Sequence, residues 1–543
     1  MIKNRTIWFL YVLFSCFSAY AQDPTNAADS DTTQRRRASS IGIEPGTQQP
    51  ADMMLSEPEP TTVASDSTDE WEFDFHGYLR GPMRLGFGTI QGGEKKGETV
   101  IHSPPITPDS DYTLWQYSGT LLGGPWAELR FSYGNSRVKA NVHIASWHIT
   151  DGGFRYIQAQ LGIDQAFVSL DYPTVFGPRG GLKWTVGIFQ NTYGAAGQYD
   201  AGKYDTYIIG RTHTAGETLT MFYDLFDDIT LQLEHGVGAK LDVQPLDSVL
   251  VNPPYYFSYP GPEQQGTTLL HHVHLGVLYR KLLQITGHYL TTWTDDAVTD
   301  SERDGRITVL GADIRLTGDV YGEGYIGFSH LDAKDILRIA NSLEIIHATL
   351  GGWNLRNNYF STINDQEAMT TSTQGTGTID TIGWQYSFSL AKVLWAPEKF
   401  WGQGPDFVAT IFGMYNMVSS DEEPEDLAPG QPKIPKNKLK LGGELTYVML
   451  NWLAASFRYD LIQPDMDDNT RSFHIISPRL IIRTEFVTHE QVIVQYSKYF
   501  NGDNTVLSGW RLPRYNTRDP EDPDKRLVNL DEDVFQVAVT MWW

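Results

Sequence analysis

The sequence predicts an all-β fold: a transmembrane, antiparallel, up-and-down β-barrel of 16 to 18 strands, with 18 favoured. Three observations predict it. Short stretches with period-two alternation recur from Trp71 to Trp543, and this is the pattern of strands with one apolar and one polar face. Strong helical segments are nearly absent over the same span, and no later run of 18 apolar residues exists to form a membrane helix. Connections alternate between tight and long, as in barrels that cross a membrane with short turns on one side and long loops on the other.

The elements follow in chain order. Lys3 and Arg5, the apolar run from Ile7 to Phe17 and the small-x-small site Ala19-Tyr20-Ala21 read as a signal peptide over 1–21. Cleavage after Ala21 removes Cys16, the one cysteine, and excludes disulfides and cysteine-based metal sites. Residues 22–70 are rich in Ser, Thr, Pro, Gln and Asp and poor in aromatics, so they read as a disordered periplasmic leader. Arg35-Arg36-Arg37 within it reads as a solvated charge run. The barrel is expected over 71–543.

Alternation is clear where Val138, Ala140, Val142 and Ile144 interleave with Arg137, Lys139, Asn141 and His143. It recurs at Trp184, Val186 and Ile188, at Val273, Leu275, Val277 and Tyr279, at Ile476, Leu480 and Ile482, and at Val492, Val494 and Tyr496. Pro478 marks a bulge or an edge, because proline donates nothing to a ladder. Asp227-Asp228, Arg280-Lys281 and Gly318-Asp319 read as short turns. The stretches 91–111, 242–267, 357–379, 416–438 and 500–531 read as long polar loops. Aromatic clusters at Tyr255-Tyr256-Phe257, Trp353, Tyr359-Phe360, Trp395, Phe400-Trp401 and Trp452 suit girdles at the membrane interfaces.

In the last ten residues Phe535, Val537, Val539, Met541 and Trp543 alternate with Gln536, Ala538, Thr540 and Trp542. This segment resembles the final strand of Gram-negative outer-membrane β-barrel proteins, which ends on an aromatic. The resemblance implies recognition by the barrel-assembly machinery and residence in the outer membrane, among its lipid and lipopolysaccharide. Phenylalanine is usual there, so Trp543 departs from the pattern. At the other end, Phe73-Asp74-Phe75-His76-Gly77-Tyr78-Leu79-Arg80 resembles the first strand of maltoporin-type sugar porins over about eight residues, and supports a porin more firmly than a sugar porin. By the same resemblance a homotrimer is the common assembly, although no stretch identifies a subunit interface.

A barrel of roughly 16 to 18 strands is too wide for side chains to fill. No compact plug domain precedes it, so narrowing must come from inward-folding loops, for which Asn191 to Lys203 is the candidate. The pore-lining candidates are His76, Arg80, Arg84, Arg130, Arg137, Lys139, Lys183, Arg211, Arg479 and Arg483, with Glu128, His143, Arg315 and Arg458 on the same polar faces. Arginine forks held along one wall attract anionic groups or bond sugar hydroxyls; the competing role is salt-bridging to lumen carboxylates.

Lys plus Arg total 42 against 66 Asp plus Glu, a formal net charge of -24, which argues against nucleic acid as a partner. Gly-x-Ser-x-Gly, His-Glu-x-x-His and phosphate-cradling loops are absent from the sequence, and no cofactor or enzymatic activity is expected. His272 and His274 share a strand face and read as lumen residues rather than metal ligands. Asp465, Asp467, Asp468 and Asn469, like Asp421 to Asp426, read as solvated acidic turns. The expected function is an outer-membrane porin passing small hydrophilic solutes; the alternative is a barrel serving as anchor or partner subunit of a surface assembly.

Overall fold

A computed structural model describes residues 70–90, 97–102, 107–108, 117–118, 126–147, 160–198, 207–240, 267–280, 282–295, 305–318, 322–334, 377–390, 405–420, 437–463, 466–467, 469, 472–484, 489–501 and 530–543. The signal segment, the leader up to residue 69, Arg35-Arg36-Arg37, the acidic run 421–426 and the aromatic clusters named above other than Trp452 lie outside the described residues.

The barrel strands are β1 (Glu72–Ile90), β2 (Trp126–Gly134), β3 (Val138–Trp147), β4 (Gln160–Tyr172), β5 (Gly180–Gln198), β6 (Tyr207–Phe226), β7 (Ile229–Lys240), β8 (Thr267–Tyr279) and β9 (Leu283–Asp295). They continue as β10 (Arg306–Gly318), β11 (Gly322–Lys334), β12 (Gly377–Ser389), β13 (Asp406–Ser420), β14 (Asn437–Leu450), β15 (Leu453–Gln463), β16 (Phe473–Thr484), β17 (His489–Asn501) and β18 (Leu530–Trp542). Each pairs antiparallel with its sequence neighbours, and β1 pairs with β18 from Tyr78↔Trp542 to Ile90↔Leu530, closing an 18-stranded barrel. Gly77 and Trp543 exchange both backbone hydrogen bonds at 3.1 Å and complete the seam. Closure joins the first strand to the last, so the wall avoids the open sheet edge that hydrocarbon does not tolerate.

The short connections fall on one side, and local chemistry explains them. Between β2 and β3 the Asn135 side chain accepts from the backbone N–H groups of Arg137 and Val138, both at 2.9 Å, an Asx turn. Asp227-Asp228 joins β6 to β7, and Arg280, with φ of 50°, turns β8 into β9. Asp228 and Arg280 pair at 2.8 Å across two of these turns. The strands reach further into the long connections than the sequence suggested. Residues 416–420 belong to β13, 437–438 to β14, 377–379 to β12, Thr267 to β8, and 500–501 and 530–531 to β17 and β18. Within the first long connection, Thr99–His102 pairs with β1 at Gly86–Thr89, and Thr107–Pro108 pairs with Tyr117–Ser118 as a small ribbon.

Pro478 makes neither a bulge nor an edge. β16 is paired on both sides; its ladder to β17 skips from Ile476↔Lys498 to Arg479↔Gln495 with the register unchanged. The missing N–H interrupts the ladder locally and costs no residue.

Outward side chains form an exposed apolar band, including Leu79, Met83, Ile188, Leu275, Leu310, Ile411 and Leu445. Toward the turn side it is bordered by Trp71, Tyr133, Tyr172, Tyr223, Phe226, Tyr279, Tyr447 and Trp452, all exposed. Apolar residues facing out of a closed barrel with an aromatic border fit the bilayer and its interface. The outward face of β18 carries Phe535, Val537, Val539 and Met541, as its alternation predicted.

Candidate functional site

Burial and register together assign the inner face. On β8, Thr268, Leu270, His272 and His274 are buried while Leu275, Val277 and Tyr279 are exposed. The ladders carry this parity around the barrel, because directly paired residues share a face.

The inner face of β1 and β14–β18 is rich in cations and amides. Lys438 and Lys440 come from β14, Arg458 from β15, and Arg479 and Arg483 from β16, against Glu444 and Asp460 on the same three strands. Arg458 donates to both carboxylate oxygens of Asp460, at 2.7 to 3.0 Å, with both side chains fully buried, and its guanidinium lies 4.7 Å from the Phe412 ring centroid. Arg479 Nη1 donates to Glu444 at 2.9 Å, and Ser456 donates to the other oxygen of that carboxylate. Arg84 Nε donates to Gln536 Oε1 at 3.0 Å, and Arg483 Nε to Gln491 Oε1 at 2.7 Å. Such forks hold a planar, permanently charged donor in fixed orientation.

The register sorts these residues into rows. Arg479, Gln495, Gln536 and Arg84 are directly paired in succession across four strands. Four residues along each strand, Arg483, Gln491, Thr540 and Arg80 make a second such row. Between them runs Ile481, Ile493, Ala538 and Pro82, an apolar row continued by Ala454 and Val448. On the Arg479 row sits the ribbon of the first connection: Gln495 Nε2 donates to the Pro108 carbonyl at 3.2 Å, and Pro108 is buried.

The opposite wall is organised differently. β5 pairs with β4 only as far as Ala166↔Ile188, yet stays paired with β6 through Thr192↔Arg211 and Ala196↔Ile209 to Gln198↔Tyr207. β6 in turn pairs with β7 only from Ala215↔Ala239 onward. Residues 189–198 and 207–214 therefore form a two-stranded arm held by neither flanking strand. β5 lies against β8 to β12, which a strand confined to the wall of so wide a barrel cannot reach, so the arm crosses the lumen. The inner face of β9 to β12 carries an apolar row there, Leu290, Val309, Leu331 and Ile379, directly paired and no more than 1% exposed. Full burial of each such side chain contributes about 1.5–3 kcal/mol. The inward-folding segment expected at Asn191 to Lys203 is thus strand over Asn191–Gln198, with 199–203 outside the described residues. At the arm's root Gly187 has φ of 140° and lies beside the Ala166 carbonyl, where a Cβ would come within 2.4 Å.

On the inner face, β7 to β10 repeat one device twice. The His272 ring lies over Gly236, its direct partner, and reaches Glu234 at 3.1 Å. The His288 ring lies over Gly311 and reaches Asp313 at 3.3 Å. Thr220 and Thr286 donate to the two carboxylates at 3.0 and 2.9 Å. A Cβ on Gly236 would meet His272 at 1.8 Å, and one on Gly311 would meet His288 at 2.3 Å, so each glycine is the space its histidine occupies. His274, opposite both Glu234 and His288, lies between the two pairs. Among the described residues no group of three or more His, Cys, Asp or Glu is arranged to hold a metal ion.

His76, Arg80, Arg84, Arg130, Lys139, Lys183, Arg479 and Arg483 all project from the inner face by register. Arg80 is almost fully buried, and Arg130 is held by Glu128 at 3.1 Å. His76 and Lys139 gather on Asp74 at 3.0 and 3.9 Å near the turn-side mouth, and Lys183 faces Asp171 in the ladder. Arg137 stands in the β2–β3 turn and is exposed. Arg211 belongs to the arm rather than the wall. Lys438, Lys440, Glu444, Asp460, His288, Asp313 and the amides of Gln491, Gln495 and Gln536 were not singled out from sequence. Their signal was the polar parity of strands already recognised, and Lys438 was hidden in a segment read as loop.

The fold defines the class: an 18-stranded transmembrane β-barrel with a chain segment folded into its lumen. No family model and no curated protein matches the chain. Among solved structures, outer-membrane expressed OmpT of Vibrio cholerae is 11% identical over 88% of this chain and 99% of its own, with a TM-score of 0.29. The outer-membrane channel DcaP of Acinetobacter baumannii is 9% identical over 88% and 99%, TM-score 0.35. OccK5 of Pseudomonas aeruginosa is 10% identical over 87% and 98%, TM-score 0.33. The fold is defined by the strand pairing described above.

Proposed function

We propose that the chain is an outer-membrane channel through which small hydrophilic solutes, anions foremost, diffuse passively. The carrying observation is the inner wall of β1 and β14–β18, where Arg80, Arg84, Arg458, Arg479, Arg483, Lys438 and Lys440 project inward from a chain whose net charge is -24. Concentrating cations on the inner face of an acidic protein makes electrostatic sense where anions are to be drawn inside. Glu444 and Asp460 balance part of that charge and fix the geometry of Arg479 and Arg458. Arg80, Arg84, Arg479 and Arg483 belong to the pore-lining set expected from sequence; Lys438 and Lys440 do not.

The arm on β8–β12 and the ribbon on β16–β17 narrow the lumen from opposite sides. Passage is then a matter of size at the constriction and of weak, reversible contact with the basic wall. The test is single-channel recording of the refolded protein in a planar bilayer. Stable, discrete current steps support the channel; a folded barrel that never conducts overturns it and leaves the anchoring role.

A further inference from the structure

Two histidines interrupt the apolar outer face of the wall. His235 on β7 and His271 on β8 stand on that face by parity, since Gly236 and His272, beside them in the chain, are buried on the inner one. They are diagonal to each other: His235 pairs with Val273, and His271 with Val237. The rings meet across the ladder, with centroids 5.0 Å apart at 60° and the two Nε2 atoms 3.2 Å apart. His271 stands eight residues along β8 from Tyr279 in the turn-side aromatic border. At about 3.3 Å per residue and a tilt of about 40°, that is roughly 20 Å above the border. The ladder row of His271 continues with Thr291, Thr308 and Asp332. The outer face therefore turns polar at this height, near the top of a band that is about 25 Å tall in barrels of this kind.

We propose that His235 and His271 form a two-imidazole site for a borderline transition-metal dication, Zn²⁺ or Cu²⁺, on the outer surface of the barrel toward its loop side. The proposal goes beyond the channel reading and does not rest on it, because both rings face away from the lumen. An ion bound to two imidazoles at about 2.0–2.1 Å sets their nitrogens roughly 2.9 Å apart at a right angle and roughly 3.4 Å apart at a tetrahedral one. The observed 3.2 Å falls within that span. The ladder between β7 and β8 fixes both backbones, so little ordering remains for an ion to impose. Neutral imidazoles suit zinc and copper, whereas magnesium and calcium take oxygen ligands. Water completes the coordination, at a height where the outer face is already polar. Glu217 on β6 pairs with Val237 in the row of His271, is exposed on the same face, and accepts from Trp184 Nε1 at 2.9 Å. Its charge favours a cation nearby. The competing occupant of the gap is a proton shared in an N–H···N bond. The competing role for the rings is a place in an aromatic border, where Tyr289 lies 6.2 Å from His271. Neither alternative binds a metal.

The experiment is calorimetric titration of Zn²⁺ into the refolded, detergent-solubilised barrel, purified without a histidine tag, with electron paramagnetic resonance of bound Cu²⁺ in parallel. The chain has 14 histidines, so variants carry the assignment. The native barrel is expected to bind Zn²⁺ in the presence of excess Mg²⁺, and bound Cu²⁺ to show nitrogen couplings from two imidazoles. His235→Gln and His271→Gln should each weaken Zn²⁺ binding about tenfold or more, and the double variant little further, because the two ligands act as one chelate. Each single variant should leave one imidazole in the Cu²⁺ spectrum. His489→Gln, against Trp542 at the turn-side end of the wall, should leave Zn²⁺ binding as it is. Gel mobility of unheated samples checks that every variant is folded. A native barrel that binds no Zn²⁺, binding that Mg²⁺ displaces, or binding that the His235 and His271 variants leave intact overturns the proposal. Conductance separates this site from the channel reading. A barrel that conducts and binds no Zn²⁺ overturns the site and leaves the channel. A silent barrel that binds Zn²⁺ through the two histidines keeps the site and overturns the channel.

Discussion

The carbonyl of Pro108 accepts a hydrogen bond from Gln495 Nε2 at 3.2 Å, although 387 positions separate the two residues. One belongs to the connection after the first strand and the other to the wall strand before the last, so the contact exists only because β1 and β18 close the barrel. It places backbone from a connection on a row of arginines and amides of the inner wall.

Arg458 and Asp460 form a fully buried bidentate pair, and removing one partner leaves the other buried charge without it. Asp460→Ala should destabilise the barrel by about 3–5 kcal/mol. Asp460→Leu combined with Arg458→Met should cost clearly less than Asp460→Ala alone. Urea unfolding midpoints in detergent, read by gel mobility of unheated samples, check the order.

Gly236 is occupied space rather than flexible backbone. Gly236→Ala places a methyl group on the His272 ring and should destabilise by about 1–3 kcal/mol through overpacking. His272→Ala should suppress that cost in the double variant, which a double-mutant cycle measures directly; unsuppressed cost contradicts the packing described.

The arm is expected to rest on the apolar row Leu290, Val309, Leu331 and Ile379 of the inner wall. Val309→Asp and Leu331→Asp introduce carboxylates under it, each opposing burial by several kcal/mol. The expected result is a folded barrel with larger and noisier conductance, because the arm no longer stays down. Unchanged conductance places the constriction elsewhere.

The turn pair Asp228–Arg280 sets a pH dependence. The Arg280 guanidinium, hydrogen-bonded to Asp228, holds that carboxyl below its ordinary value of 3.8. A carboxyl depressed in the folded state stabilises above its unfolded value and loses that contribution as pH falls through the folded one. The midpoint difference between the native chain and Asp228→Asn should therefore be constant from neutral pH to about 5 and vanish at strongly acid pH. Arg280→Ala should remove the pH dependence of that difference.

Much of the barrel was legible in sequence, since period two states which side chains share a face. Val142, Trp184, Val277 and Tyr496 were placed outward and their neighbours inward, as they stand. The arm's landing place was not legible, because alternation does not distinguish an apolar residue facing lipid from one facing a covered part of the lumen. Leu290 follows Tyr289, and Val309 precedes Leu310; two apolar residues in succession mean that both faces are covered, a signal that reads equally as noise. Lys438 was obscured because strand and loop merge at the rim. The His288–Asp313 contact and the rows joining Arg84 to Arg479 and Arg80 to Arg483 depend on register between strands, which no single strand encodes.

The most direct test of the central claim is the reversal potential across a planar bilayer under a tenfold potassium chloride gradient, for the native chain and for Arg84→Gln/Arg479→Gln. The basic wall predicts anion preference in the native barrel and a marked loss of it in the variant at similar conductance. Cation preference in the native barrel, or a preference that the two substitutions leave untouched, contradicts the account.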